Sequence, residues 1–186
     1  MWPDIEETTA LSGTEVCPSD ADLDVTMLKT AFEIERYGLE FYSKLIGCVR
    51  DGRTAAVLRG LASDAKKHLE ILAEEIECFS KGLDVSRIKP LKEYLEFRNK
   101  PGFSIPENVC LTLEGEIKAL GKGIEVEKRT MKMYSKELKH AKDPQLKVTL
   151  ESLLNRVQNH VRQLEESIHW LRLDGNWYGY IPLLEG

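Results

Sequence analysis

Two glutamates and two histidines recur at matched spacing along the chain. His68 follows Glu35 by 33 residues, and His160 follows Glu127 by the same interval. The two pairs are offset from each other by 92 residues. Glutamate and histidine both carry side chains that can ionise and bind other polar groups. We therefore interpret these four residues as candidates for one shared site.

A turn signal lies at the midpoint of each glutamate–histidine pair. Asp51-Gly52 divides the first pair and Asp143-Pro144 divides the second, and both dipeptides favour turns. If each half of the chain is a helical hairpin, about 1.5 Å of rise per residue places each glutamate and histidine roughly 24 Å from its turn. The members of a pair then face each other. Two such hairpins packed together bring all four residues into the middle of a bundle.

Apolar residues at helical spacing run through the four segments that carry these residues. Glu35, His68, Glu127 and His160 each fall on an apolar stripe, where a polar side chain is unexpected. The predicted helices cover about residues 24–50, 53–79, 112–140 and 144–171. Residues 82–110 contain three prolines and predict a long crossover with a short helix near 91–98. The expected fold class is all-α, a four-helix bundle of two helical hairpins.

The two ends of the chain differ in composition from this central region. Residues 1–20 contain Pro, Gly, Ser and Thr and predict a flexible N-terminal arm. Residues 21–173 form the expected bundle. Residues 174–186 carry Trp177, Tyr178 and Tyr180 between glycines. We expect this aromatic tail to fold back over an apolar surface.

Composition excludes several classes of protein. The formal net charge of −5 argues against a nucleic-acid binder, which would show a basic face. The sequence has no apolar run long enough to span a membrane, and its start lacks the basic residues of a signal peptide. The cysteines, which form no CxxC pair, are Cys17, Cys48, Cys78 and Cys110. That spacing excludes a zinc ribbon or a rubredoxin-type iron site and favours reduced thiols in a cytoplasmic protein.

Several stretches of the chain match the pattern of one known family. The interval of seven between Glu35 and Tyr42 is repeated between Glu127 and Tyr134. The first-helix pattern consists of Ala31, Glu35, Gly38, Phe41 and Tyr42, and the stretches LASDAKKHLE and LLNRVQNHVRQ correspond to the second and fourth helices. On these residues the chain resembles rubrerythrin-related members of the ferritin-like superfamily over roughly residues 25–170.

This resemblance implies a metal site and its ligands. Ferritin-like di-metal proteins use one glutamate from each of two helices and a Glu-x-x-His motif from each of the other two. Carried over by position, the implied metal ligands are Glu35, His68, Glu127 and His160. The implied cofactor is a divalent metal ion, with iron first and zinc or manganese as alternatives.

The chain departs from the family pattern at two positions. Ala65 stands three residues before His68, and Val157 stands three residues before His160, so both bridging glutamates of the family are missing. Glu35 and Glu127 supply a charge of −2, which matches one divalent ion. An alternative without metal pairs protonated histidines with the same glutamates. That arrangement is also neutral, so charge does not separate the two.

Three further residues lie close to the implied site in sequence or by resemblance. Asp64, four residues before His68, is a possible extra ligand, although we expect an ion pair between Asp64 and Arg156 instead. Tyr42 and Tyr134 are possible hydrogen-bond donors to the ligands. The alternative for both tyrosines is ordinary core packing with the hydroxyl satisfied.

These observations leave three functions open. The first is a ferritin-like metal-binding protein with a reduced Glu2His2 site that holds one ion. The second is a di-iron peroxidase or oxidoreductase of rubrerythrin type, which would need an external electron donor. The third is a metal-free bundle that serves assembly or partner binding. We expect a homodimer, because symmetric dimers are the commonest oligomers.

Overall fold

The computed structural model describes residues 20–84, 86–96 and 110–177. Within these ranges the chain forms helices and no strands, and none of the helices has the length and hydropathy of a membrane span. The helices are α1 (Asp20–Ile46), α2 (Gly52–Phe79), α3 (Lys92–Leu95), α4 (Leu113–His140) and α5 (Pro144–Trp177). The predicted all-α four-helix bundle is confirmed. The arm before Asp20, and Tyr178 and Tyr180 of the tail, lie outside the described residues.

The ends of α1 and of α5 differ from the sequence-based prediction. Helix α1 stops at Ile46 rather than near Arg50, because the amides of Gly47 and Cys48 bond back three residues and close a turn. Helix α5 continues past Leu171 to Trp177. A single glycine within a helix costs only about 1 kcal/mol relative to alanine, so Gly175 does not end it. Residues 174–177 therefore belong to the helix.

The four long helices form two antiparallel hairpins. Helix α1 packs mainly on α2, and α4 mainly on α5. Contacts of Tyr42 with Glu127 and of Tyr134 with Glu35 show that α1 and α4 also run antiparallel. The directions are therefore up, down, down and up, so the segment between α2 and α4 returns along the length of the bundle.

Matching aspartate caps begin the second helix of each hairpin. The Asp51 side chain accepts a hydrogen bond from the Thr54 amide at 2.7 Å, and the Asp143 side chain accepts one from the Leu146 amide at 2.9 Å. Such caps satisfy helix N–H groups that have no partner within the helix. The two predicted turns are thus the points where each hairpin reverses, and they repeat the 92-residue offset.

Two hydrogen bonds join the crossover and the residue that follows it to α1 and to the turn after α1. The Leu91 amide donates to the Thr30 hydroxyl at 2.9 Å, and the Leu111 amide donates to the Cys48 carbonyl at 2.8 Å. Near the bond between Leu111 and Cys48, the buried carboxylate of Glu116 accepts a hydrogen bond from the Arg50 amide at 2.6 Å. These bonds fix where the second hairpin begins relative to the first.

Two apolar clusters fill the two halves of the bundle. One lies toward the start of α1 and of α5 and includes Leu28, Leu72, Met133, Leu146 and Leu150. The other lies toward the α1–α2 turn and includes Phe41, Leu45, Leu58, Leu61 and Leu164. The polar residues of the candidate site are carried at the level between them, so burial of these leucines and aromatics also buries the site.

Candidate metal centre

The structure brings the four sequence-predicted residues together from four different helices. Glu35 and Glu127 are each 7 % exposed, His160 is 4 % exposed and His68 is completely buried. Glu35 Oε1 lies 3.2 Å from His68 Nδ1, and Glu127 Oε1 lies 3.6 Å from His160 Nδ1. The two imidazole rings are stacked with centres 6.1 Å apart. We call these four residues the quartet.

Three buried ring nitrogens of the quartet lack hydrogen bonds. The contact between Glu35 and His68 is short, but neither ring nitrogen of His68 makes a hydrogen bond within the described residues, and Nε2 of His160 makes none either. A neutral imidazole carries one N–H donor and one acceptor nitrogen. Leaving a buried polar group without a partner costs about 1–3 kcal/mol. Such a group calls for an ordered water, an ion or another partner.

Two tyrosines connect the hairpins through the glutamates. The Tyr42 hydroxyl of α1 donates to Glu127 Oε1 of α4, and the Tyr134 hydroxyl of α4 donates to Glu35 Oε1 of α1 at 3.4 Å. Burial, followed by the charges of Glu127 and Glu35, raises the pKa of both phenols well above the usual value. Both tyrosines therefore remain protonated donors and hold the carboxylates in place.

Glycines make room for the ring of Tyr42. A Cβ atom at Gly123 would lie 3.5 Å from Tyr42 Cε1 and 3.4 Å from Leu164 Cδ1, and one at Gly38 would lie 3.8 Å from Tyr42 Cε2. A Cβ atom at either position would make ordinary van der Waals contact with the ring, whereas a side chain that extends further would displace it. The close approach of α4 to α1 at Gly123 therefore helps to hold the Tyr42 hydroxyl on Glu127.

Asp64 lies beside the quartet on α2, between His160 and solvent. Its side chain is 35 % exposed, and Oδ2 is 3.5 Å from His160 Nε2. Oδ1 is 3.7 Å from the exposed Lys67 ammonium. The expected ion pair with Arg156 was wrong: both residues are described, and Asp64 pairs with Lys67 instead. The antiparallel register of α2 and α5 places Asp64 level with His160, whereas Arg156 lies one turn, about 6 Å, along α5.

The electrostatic surroundings of His160 favour its protonated form. Burial alone lowers the pKa of an imidazole, but here hydrogen bonding and charge from Glu127, the charge of Glu35 and the polar contact with Asp64 more than offset it. The pKa of His160 is therefore raised above its ordinary value. Without a metal ion, His160 is thus a partner for the surrounding carboxylates.

Small apolar side chains border the quartet. Ala65 is 2 % exposed and Val157 is 1 % exposed. A cavity of about 10 Å³ is lined by Glu35, Glu127, His160 and Ala65, among others. That space holds about one water molecule. The centre of the bundle is therefore compact, and neither Ala65 nor Val157 offers a ligand atom.

The quartet is arranged as two pairs rather than as one cage. Among the described residues, no group of three or more His, Cys, Asp or Glu side chains is gathered closely enough to hold a metal ion. Sequence reasoning found the four members from their spacing, but spacing does not report which way a side chain points. The pairing within each hairpin follows from the carboxylate and imidazole facing each other across its two helices.

One buried acid was missed by sequence reasoning. Glu116 is only 2 % exposed, and its Oε2 has no hydrogen-bond partner in the described residues. It falls within the first turn of α4, where acids are ordinary because they favour the positive end of the helix dipole. An acid at that position therefore gave no sign that Glu116 would be buried where it accepts a hydrogen bond from the Arg50 amide.

Comparison with known proteins gives one family. The family model described as Rubrerythrin matches residues 26–168, a range that covers most of the chain and contains the whole quartet. No curated protein and no solved structure matched the chain. The match supports a ferritin-like metal-binding protein, and it coincides with the two hairpins described above.

Proposed function

The chain belongs to the rubrerythrin family of ferritin-like proteins, and from this premise we propose that it is a metal-binding protein that holds one divalent ion per chain. The proposed ligands are the quartet Glu35, His68, Glu127 and His160. Asp64, whose carboxylate lies 3.5 Å from His160 Nε2, is not among the proposed ligands, because Glu35 and Glu127 already supply the two carboxylates that one divalent ion needs.

The observation that carries this proposal is the state of His68. The residue is completely buried, yet neither of its ring nitrogens makes a hydrogen bond within the described residues. A buried imidazole that makes no hydrogen bond is costly, whereas a metal ion would use a lone pair of the ring as a ligand. The carboxylate of Glu35 beside it would complete both the donor set and the charge.

The charges and volumes favour one ion over two. Glu35 and Glu127 together carry −2, which neutralises one divalent ion. We propose that Ala65 and Val157 replace the bridging glutamates of the family, because they stand three residues before His68 and His160. A second ion would lack compensating charge in a buried site, at a cost of several kcal/mol even after relaxation. The residues present therefore do not fit a two-ion centre.

The separation of the imidazole rings is compatible with a shared ion. With metal–nitrogen bonds of about 2.0–2.1 Å and tetrahedral angles, the centres of two coordinating imidazoles lie roughly 5 Å apart. The observed distance between the centres of the His68 and His160 rings is 6.1 Å. Binding thus requires a shift of only about 1 Å, together with rotation of the rings out of their present pairing.

The donor set limits the identity of the ion. Two nitrogens and two carboxylate oxygens suit iron(II), zinc or manganese, and iron is our first proposal. A bound ion would supply a Lewis acid, and iron or manganese could also change oxidation state. Tyr42 and Tyr134 would keep Glu127 and Glu35 oriented, since both phenols remain protonated and donate to these carboxylates.

Two alternatives have different support. The metal-free bundle is favoured by one observation, namely that no three donor side chains in the described ranges are gathered around a point. A di-iron peroxidase would need two ions, further carboxylates and an external electron donor. The apolar, buried Ala65 and Val157 count against that alternative.

Metal content of protein purified without chelator tests the proposal. We expect close to one equivalent of a first-row ion in the unaltered chain and little in the His68→Gln, His160→Gln double variant. His140→Gln, which alters an exposed histidine at the end of α4, is the matched control and should retain the ion. Metal-free protein that also fails to take up added iron(II), zinc or manganese would favour the metal-free bundle. Two equivalents would favour the di-metal alternative.

Assembly and location are separate proposals. We propose a cytoplasmic homodimer, since widely spaced cysteines suit a reducing compartment and apolar side chains such as Leu23, Val148 and Trp170 are exposed. Light scattering at micromolar concentration should give twice the monomer mass of 21.2 kDa. The monomer mass alone would contradict the dimer.

A further inference from the structure

The surroundings of the quartet break the internal two-fold relation of the bundle. The 92-residue offset relates Glu35 to Glu127 and His68 to His160, and it also relates Asp64 to Arg156. A carboxylate therefore stands beside the quartet on α2, whereas the sequence-related residue on α5 is an exposed arginine. The internal repeat thus carries opposite charges at these two positions.

The Asp64 side is also the side on which the quartet lies nearer to solvent. Asp64 is 35 % exposed at its side chain, and the imidazole that it contacts, His160, is 5 % exposed. His68, the related imidazole, is completely buried. A chain of short contacts thus leads from solvent to Asp64 Oδ2, then 3.5 Å to His160 Nε2, and from the same ring 3.6 Å to Glu127.

We propose that divalent ions reach the quartet through Asp64, and that Arg156 disfavours the two-fold-related route. This inference rests on the proposed function and adds the path by which the ion arrives. A carboxylate that is partly exposed captures a hydrated cation, and Nε2 of His160, 3.5 Å from Asp64, is the next ligand atom inward. Lys67, which is 3.7 Å from Asp64, must release the carboxylate, and its 63 % exposure lets it move away.

The rate of metal uptake is the property that this route controls. A fixed charge beside a site changes the association rate of an oppositely charged ligand by about 10–10³-fold. Salt screens this attraction, with a Debye length of roughly 10 Å at 0.1 M ionic strength. A residue that acts on the route alone changes association and dissociation rates together and leaves the dissociation constant unaltered. A residue that is a ligand in the final complex changes the dissociation constant.

Stopped-flow uptake of zinc by the full metal-free chain tests the route. We expect Asp64→Asn to slow association by about tenfold and dissociation to a similar extent, with the stoichiometry and dissociation constant unchanged. Glu74→Gln is the matched control, because it removes one exposed acid from the same helix about 15 Å away and should leave the rates unchanged. Adding Arg156→Asp to Asp64→Asn should restore fast uptake from the other side.

Each other result overturns the inference in a recognisable way. If Asp64→Asn takes up zinc as fast as Glu74→Gln, ions do not pass Asp64. If Asp64→Asn weakens equilibrium binding while association stays fast, Asp64 is a ligand in the bound state and not the route. If the unaltered chain binds no zinc, manganese or iron(II), the proposed function itself fails, and this result is distinct from a change in rate.

Discussion

Glutamates at the two core positions where the family pattern has them should convert the site from one ion to two. They should also destabilise the metal-free protein. The perturbation is the double substitution Ala65→Glu, Val157→Glu. Both positions are at least 98 % buried, so each new carboxylate enters the low-dielectric centre beside the quartet. Without metal, the site would then hold four carboxylates and two imidazoles.

The cost of this change can be worked from burial and volume. Each buried charge without a partner costs several kcal/mol, and Ala65→Glu adds side-chain atoms beside a cavity of only about 10 Å³, with overpacking adding about 1–3 kcal/mol. A domain is typically stable by only about 5–15 kcal/mol. We therefore expect the metal-free variant to lie close to unfolding at room temperature.

Two divalent ions would neutralise the four carboxylates and restore the fold. At a free metal concentration of one hundred times the dissociation constant, binding to the native state adds about 2.7 kcal/mol, which corresponds to a rise in Tm of roughly 5–10 °C for a domain of this size. Thermal unfolding with and without iron(II), zinc or manganese measures the rise, and elemental analysis counts the ions. We expect occupancy to increase towards two per chain.

The matched control is the double variant Ala65→Gln, Val157→Gln, which has nearly the same shape without the charge. It should bind at most one ion and show no larger metal-dependent rise in Tm than the unaltered chain. The reasoning is refuted if the glutamate variant is as stable as the unaltered protein without metal. It is equally refuted if the glutamine variant gains the second ion.

Three further predictions concern stability. Tyr42→Phe should lower the free energy of unfolding by about 1.5–3 kcal/mol, because it removes a buried donor from the Glu127 carboxylate. Tyr134→Phe loses only a 3.4 Å contact and should lower it by about 1 kcal/mol. Urea unfolding that finds Tyr134→Phe the more damaging change contradicts this assignment. Gly121→Ala should add about 1 kcal/mol by the same assay, since nothing lies within 4 Å of its Cβ and alanine favours helix. Because the pKa of His160 is raised in the folded protein, its protonation stabilises the metal-free fold fully below a pH of about 6.5. This contribution is lost as the pH rises through the raised pKa. The free energy of unfolding should therefore depend less on pH in His160→Gln than in the unaltered chain.

The position of the quartet could be predicted from sequence because helical geometry is regular. Polar residues on apolar stripes must be buried if the stripe is buried, and equal distances from two turns put Glu35 level with His68 and Glu127 level with His160. Those inferences use only the rise and period of a helix. Asp51 and Asp143 were recognised as the turn positions because they lie at the midpoints of the pairs and belong to dipeptides that favour turns.

Other features depend on information that spacing does not contain. The predicted Asp64–Arg156 pair failed because the register between α2 and α5 is set by packing of the two hairpins and not by either hairpin alone. The end of α5 was missed because Gly175 reads as a stop signal, although one glycine costs too little to end a long helix. Glu116 is buried where its carboxylate meets the Arg50 amide, and no local sequence pattern predicts this long-range contact.

Native mass spectrometry of the metal-free chain titrated with iron(II), zinc or manganese tests the one-ion site most directly. We predict a single added ion per chain that saturates near one equivalent, and its loss in the His68→Gln, His160→Gln double variant. Two tightly bound ions in the unaltered chain, or one that survives removal of both imidazoles, would contradict the proposed site.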